Sequence, residues 1–144
     1  MNREILFRAK HIHAMDSNEH LDGTWVHGYL SDKNYINDKS LEGEFLVDEN
    51  TICQYTGLTD KNGKKIFEGD IVRYGEICGE VKFGLHESNW QICKYNQGFY
   101  IEFPEESLYR KELGYYENKV VVIGNIYDSP KLLEDEENKH GKDI

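Results

Sequence analysis

The stretch QYTGLTDKNGKKIFEGDIV, from Gln54 to Val72, constrains the fold more than any other part of the chain. It holds three glycines, two aspartates, one asparagine and three lysines between the apolar anchors Tyr55, Phe67, Ile71 and Val72. So much turn chemistry between firm anchors predicts a stiff, ordered connection. Gly57 closes a strand. Asp60 to Gly63 is a turn tetrad in which Asp60 bonds the backbone ahead of it, while Asn62 and Gly63 tolerate positive φ. Ile66 and Phe67 return the chain to the core. Gly69 and Asp70 make a second tight turn, from which a strand leaves at Ile71.

Strand signals dominate elsewhere. REILFRAK alternates, with Ile5, Phe7 and Ala9 on one face and Arg8 and Lys10 on the other. In TWVHGYL, Trp25, His27 and Tyr29 share a face opposite Val26, Gly28 and Leu30. DIVRYGEICGEVKFG reads as two strands, with Gly75 and Gly79 available for bends. NWQICKY and GFYIEF read as a hairpin turning through Asn96, Gln97 and Gly98. KVVVIGNIY is the most β-branched run and is expected as a central strand. Two short helices are expected. One runs from Pro104 to Gly114, with acids early and bases late. The other has Ser129 as N-cap, Pro130 at its first position, and Leu132 and Leu133 to dock it.

The expected fold is therefore mostly β, α+β at the margin. It is an SH3-like small barrel over residues 66–127, with additional N-terminal strands over 1–65 and a short helix and polar tail over 128–144.

Net charge is −10. Residues 41–60 carry five acids (Glu42, Glu44, Asp48, Glu49, Asp60) and no base. Such a chain repels a phosphate backbone at long range, and an anionic membrane surface with it, so nucleic acid is an unlikely partner. No apolar run approaches the ~20 residues of a membrane span. The charged MNREILFRAK does not read as a secretory signal, which leaves a cytoplasmic location as the expectation. Cys53, Cys78 and Cys93 are read as free thiols, small residues in strands.

Four blocks carry a resemblance. They are REILFRA (Arg3–Ala9), WVHGYL (Trp25–Leu30), VDENTICQYTGLTDKNGKKIFEGDIV (Val47–Val72) and VIGNIYDSPKLL (Val122–Leu133). Together they resemble the YopX family of phage and prophage proteins, the third block most specifically. Lys10 departs from the aromatic that often follows the first block. The resemblance implies a phage-derived, mostly β protein of the host cytoplasm. It brings no established enzymatic activity, hence no catalytic residues and no cofactor.

Candidate chemistry is sparse. His11 and His13 would share a strand face near His20 and Asp16, so a metal site competes with solvent-facing histidines. The cysteines lack Cys-x-x-Cys spacing; a nucleophilic cysteine beside His27 or His86 has little support. No phosphate loop, nucleophile elbow or His-Glu-x-x-His motif is present.

Two features suggest binding instead. Lys61, Lys64 and Lys65 form the densest basic cluster, either a contact for an acidic partner or phosphate, or a solvated hairpin tip guarded against edge pairing. The acidic run from Glu42 to Asp60 is either a mimic of nucleic-acid charge or a solubilising surface. Tyr95, Phe99, Tyr100, Tyr109, Tyr115 and Tyr116 enrich one region in aromatics, as core or as an interaction surface, with Tyr115 and Tyr116 foremost. The expectation is a non-enzymatic module that binds a host or phage protein, with homo-oligomerisation open to it. The alternatives are a nucleic-acid-binding small barrel and an enzyme or metal protein.

Overall fold

The computed structural model describes residues 5–12, 23–32, 34–89, 94–104 and 110–133. The chain divides into two compact units, Met1–Gly57 and Leu58–Ile144.

In the first unit, β1 (Phe7–Lys10), β2 (Trp25–Asp32), β3 (Tyr35–Asp38) and β4 (Gly43–Leu46) precede β5 (Cys53–Thr59), which crosses the boundary. The alternation read from the sequence holds only in part: Ala9, Val26 and Gly28 are buried, but Arg8, expected on the opposite face of β1, is buried too, its guanidinium 4.7 Å from the Trp25 ring centroid, while Ile5 and Leu30 from the apolar faces are exposed. Ala9, Val26, Ile36, Phe45 and Val47 form one core, with Phe7 and Ile52 packed against it. Full burial of aliphatic and aromatic side chains of this kind contributes about 1.5–3 kcal/mol each. Gly28 is fixed by space. A Cβ there would lie 1.9 Å from the Asn37 carbonyl oxygen.

In the second unit lie β6 (Lys65–Phe67), β7 (Asp70–Tyr74), β8 (Ile77–Asn89), β9 (Lys94–Glu102) and β10 (Val121–Asn125). The hydrogen-bonded orders are β4-β3-β2-β1-β5-β6 in one sheet and β10-β7-β8-β9 in the other, and every recorded pairing is antiparallel. The second core contains Ile66, Val72, Val81, Ile101, Phe103, Leu113, Tyr116 and Val120. The protein is thus mostly β, as expected. Among the described residues, however, the strands do not close into a barrel, because β10 and β9 remain the two ends of the four-strand order.

Three local expectations are corrected. Asn96, Gln97 and Gly98 form no turn; they lie inside β9, opposite His86, Leu85 and Gly84. Nothing in their backbone demands reversal, since Gly98 has an extended φ of 158°. Among the described residues β10 is a sheet edge, with β7 as its neighbouring strand, and not a central strand. Its five residues are all half-buried, with Val122 packed on the core. Finally, residues 110–112 are not helical and Gly114 stops no helix. Tyr100 and Glu112 form a β-bridge, and the Ile101 amide donates to the Lys111 carbonyl at 2.7 Å. Pairing along the β9 edge overrides local helix preference here, and Gly114 sits within a 3₁₀ turn over Leu113–Tyr116. Residues 105–109 of that expected helix lie outside the described residues.

The second expected helix is present over 131–133 as far as the described residues run. The Ser129 carbonyl accepts from the Leu132 amide at 3.1 Å. Among the described residues, no helix is long and apolar enough to cross a membrane.

Candidate interaction surface around Tyr115

The turn around Asp60 adjoins the segment that carries Tyr115. Gly57, Gly63 and Gly69 all adopt positive φ, at 89°, 81° and 88°. That is the conformation glycine enters without strain. Gly57 does not close a strand, however: it lies inside β5, which runs on to Thr59. Asp60 is 1% exposed. Its Oδ1 accepts from the Asn62 amide at 2.8 Å and the Lys64 amide at 2.9 Å, closing the turn. Its Oδ2 accepts from the Val122 amide at 2.9 Å. Burial pushes this carboxyl up, but the amides of Val122, Lys64 and Asn62 and the charge of Lys64 hold it below the ordinary carboxylate range. Asp70 works similarly in the next turn: buried, it accepts from the Phe67 amide at 2.8 Å.

The turn is stitched to the segment before β10. The Lys61 amide donates to the Val120 carbonyl at 2.8 Å, and the Asn118 amide to the Thr59 carbonyl at 3.1 Å. Lys61 therefore lies beside Lys119. Lys61, Lys64 and Lys65 are all exposed.

Next along the chain, Tyr115 and Tyr116 divide their roles. Tyr116 is fully buried, and its hydroxyl donates to the Arg110 carbonyl at 2.6 Å. Tyr115 is 39% exposed and meets Tyr116 edge-on, ring centroids 4.9 Å apart. Two cations lie over the Tyr115 ring: Lys119 Nζ at 3.9 Å from its centroid and Arg110 Cζ at 4.8 Å. Arg110 also pairs with Glu112. The sequence reading singled out the tyrosines and the lysine turn. It missed Arg110, expected on a helix, and Lys119, which carries no local motif.

The other candidates do not converge on a site. His11 is buried in the first unit; its Nδ1 lies 2.9 Å from the Leu46 carbonyl oxygen, to which it donates, and its ring meets Phe45 edge-on. His13, Asp16 and His20 lie outside the described residues. Among the described residues no group of three or more His, Cys, Asp or Glu could hold a metal ion. Cys53 and Cys78 are buried, the Cys53 thiol donating to the Thr51 carbonyl at 3.2 Å, and Cys93 lies outside the described residues. His27 is exposed on β2. His86 is buried and stacks on the half-buried Tyr100, centroids 4.8 Å apart. Phe99 is half-buried and meets Phe83 edge-on, centroids 5.0 Å apart. The side chains of Tyr95 and Tyr109 are outside the described set. Of the five acids in residues 41–60, Asp60 contributes nothing to a surface, because its carboxylate is buried.

A second aspartate repeats the Asp60 construction. Asp38, buried at the end of β3, accepts from the His27 amide across the sheet and from the Ser40 amide in its own turn, both at 2.9 Å. The Ser40 hydroxyl also donates to it at 2.6 Å. Burial raises this carboxyl, and the amides of His27, Ser40 and Leu41 with the Ser40 hydroxyl bring it below the ordinary range. Sequence reading passed over Asp38, because its cross-strand donor is eleven positions away and marks no motif.

A family model described as YopX protein matches residues 6–134, most of the chain. No curated protein matches it.

Proposed function

The chain belongs to the YopX family, and from that premise we propose that it is a phage or prophage accessory protein acting without catalysis, by binding a host or phage protein in the host cytoplasm. The observation that carries this reading is Tyr115. It is a half-exposed aromatic, backed by a buried tyrosine and flanked by two cations held on its ring. Tyrosine and arginine are the residue types that anchor protein interfaces, because they combine large contact area with polar handles. An SH3-like relationship for the second unit is part of the same proposal, supported by the succession β7, β8, β9 and the tight turn at Gly69.

Affinity co-purification from phage-infected host cells, read by mass spectrometry at low and high salt, tests the functional reading. A specific protein retained through stringent washing is the expected result. Recovery of the bait with nucleic acid alone would defeat it.

A further inference from the structure

Resting on that reading, we propose that the surface formed by Lys61, Lys64, Arg110, Tyr115 and Lys119 takes an acidic segment of its protein partner, with carboxylates seated against the cations at the Tyr115 ring. The local charge runs against the charge of the whole. In a protein of net charge −10, this turn presents Lys61, Lys64 and Lys65 outward. Its one aspartate is turned inward and spent on three backbone amides. The adjoining segment adds Arg110 and Lys119, against Glu112, which is already paired with Arg110, and Glu117.

The cations are also preorganised. The Tyr116 hydroxyl holds the Arg110 backbone from inside the core, and the Lys61–Val120 hydrogen bond holds the lysine turn next to Lys119. A backbone fixed before binding loses less conformational freedom on binding.

The same geometry favours carboxylates over a nucleic-acid strand. Sequence-tolerant binding of single strands relies on bases stacking on bare aromatic faces. The Tyr115 ring instead carries Lys119 and Arg110. The overall negative charge opposes the continuous phosphate charge of a nucleic acid more than it opposes a short acidic peptide.

The test uses the full chain and a fluorescein-labelled peptide of alternating glutamate and glycine, followed by anisotropy across a salt series. A glutamine–glycine peptide and a labelled oligothymidylate serve as comparisons. The expected result is saturable binding of the glutamate peptide alone, weakening as salt rises. Lys61→Glu and Lys119→Glu each weaken it about tenfold, through a changed association rate more than a changed dissociation rate. Both positions are exposed, so the fold persists, checked by an unchanged circular dichroism spectrum. Absence of binding at low salt, equal binding by the glutamine peptide, unaffected affinity in both variants, or preference for the oligothymidylate would each overturn the proposal. If co-purification yields a protein partner whose retention is unchanged in Lys119→Glu, the binding function stands and this assignment of its surface falls.

Discussion

Asp60 and Val122 are separated by 62 positions, yet the Asp60 carboxylate accepts the Val122 amide at 2.9 Å while its other oxygen closes the Asn62–Lys64 turn. One buried side chain thus ties the lysine turn to the start of β10. It fixes Lys61 relative to Lys119, and with them the surface around Tyr115.

Replacing that carboxylate should show its weight. Asp60→Asn keeps the shape but turns an NH₂ group toward backbone donors. The expected loss is about 2–4 kcal/mol in a urea unfolding experiment, the range for leaving buried donors unsatisfied beside a lost charged acceptor. Asp48→Asn is the control. Asp48 caps a short 3₁₀ turn by accepting from the Asn50 amide at 3.0 Å. Asparagine caps as well as aspartate, so the change should stay under about 0.5 kcal/mol.

Acid sensitivity follows from the same groups. Asp38 and Asp60 are both held below their ordinary value of 3.8 in the folded chain, burial being outweighed by donated hydrogen bonds. A carboxyl depressed on folding contributes stability that is full above its unfolded value and is lost as pH falls through its folded one. Glu80 runs the other way. Burial raises it above its ordinary 4.5, helped by the nearby Glu102 and Glu68 and opposed by Lys82, so it costs stability as pH rises past that value. Stability should therefore rise slightly as pH is lowered toward the Glu80 range and fall once pH drops below about 3.8. In Asp60→Asn the fall should be shallower. Urea midpoints across the acid range check both.

Gly28 offers a steric prediction. An alanine Cβ would meet the Asn37 carbonyl oxygen at 1.9 Å and its carbon at 2.8 Å, both backbone atoms of a paired strand. Gly28→Ala should cost about 3 kcal/mol or more, since neither strand can shift without breaking the ladder. Gly114→Ala, with nothing within 4 Å of its Cβ, should change stability by less than about 0.5 kcal/mol. Thermal unfolding of the two variants separates them.

Tyr116→Phe removes one donor and keeps the ring. Loss of the hydrogen bond to the Arg110 carbonyl should cost about 1 kcal/mol. It should also weaken partner binding, by freeing the backbone that places Arg110. Lys119→Glu should weaken binding at a cost in stability of no more than about 1 kcal/mol, that of the cation–π contact with Tyr115. Calorimetric unfolding and a binding titration on the same two variants distinguish them.

How much of this was legible in the sequence follows the range of each interaction. The Asp60 turn was readable because Asn62, Gly63 and Lys64 lie within four positions of the carboxylate. The bond to Val122 was not, since turn chemistry at Asp60 says nothing about a strand 62 positions on. The strand faces of β1 and β2 were readable from alternation only in part: Ala9 and Val26 are fully buried, but Arg8 is buried as well and Ile5 and Leu30 are exposed. The path of residues 110–112 was misread, because acids followed by bases satisfy a helix dipole as well as they decorate an exposed edge. Only pairing with β9 settled it. The same misreading hid Arg110, so the tyrosines were singled out without the cations that give them a chemistry.

The measurement that bears most directly on the central claim is quantitative co-purification from phage-infected cells, comparing the native chain with the double variant Lys61→Glu/Lys119→Glu. The account predicts one or more specific proteins retained by the native chain at low salt, with recovery reduced about tenfold or more in the double variant, the difference narrowing as salt rises, while both baits remain folded. Equal recovery by both baits, or no specific protein with either, would contradict it.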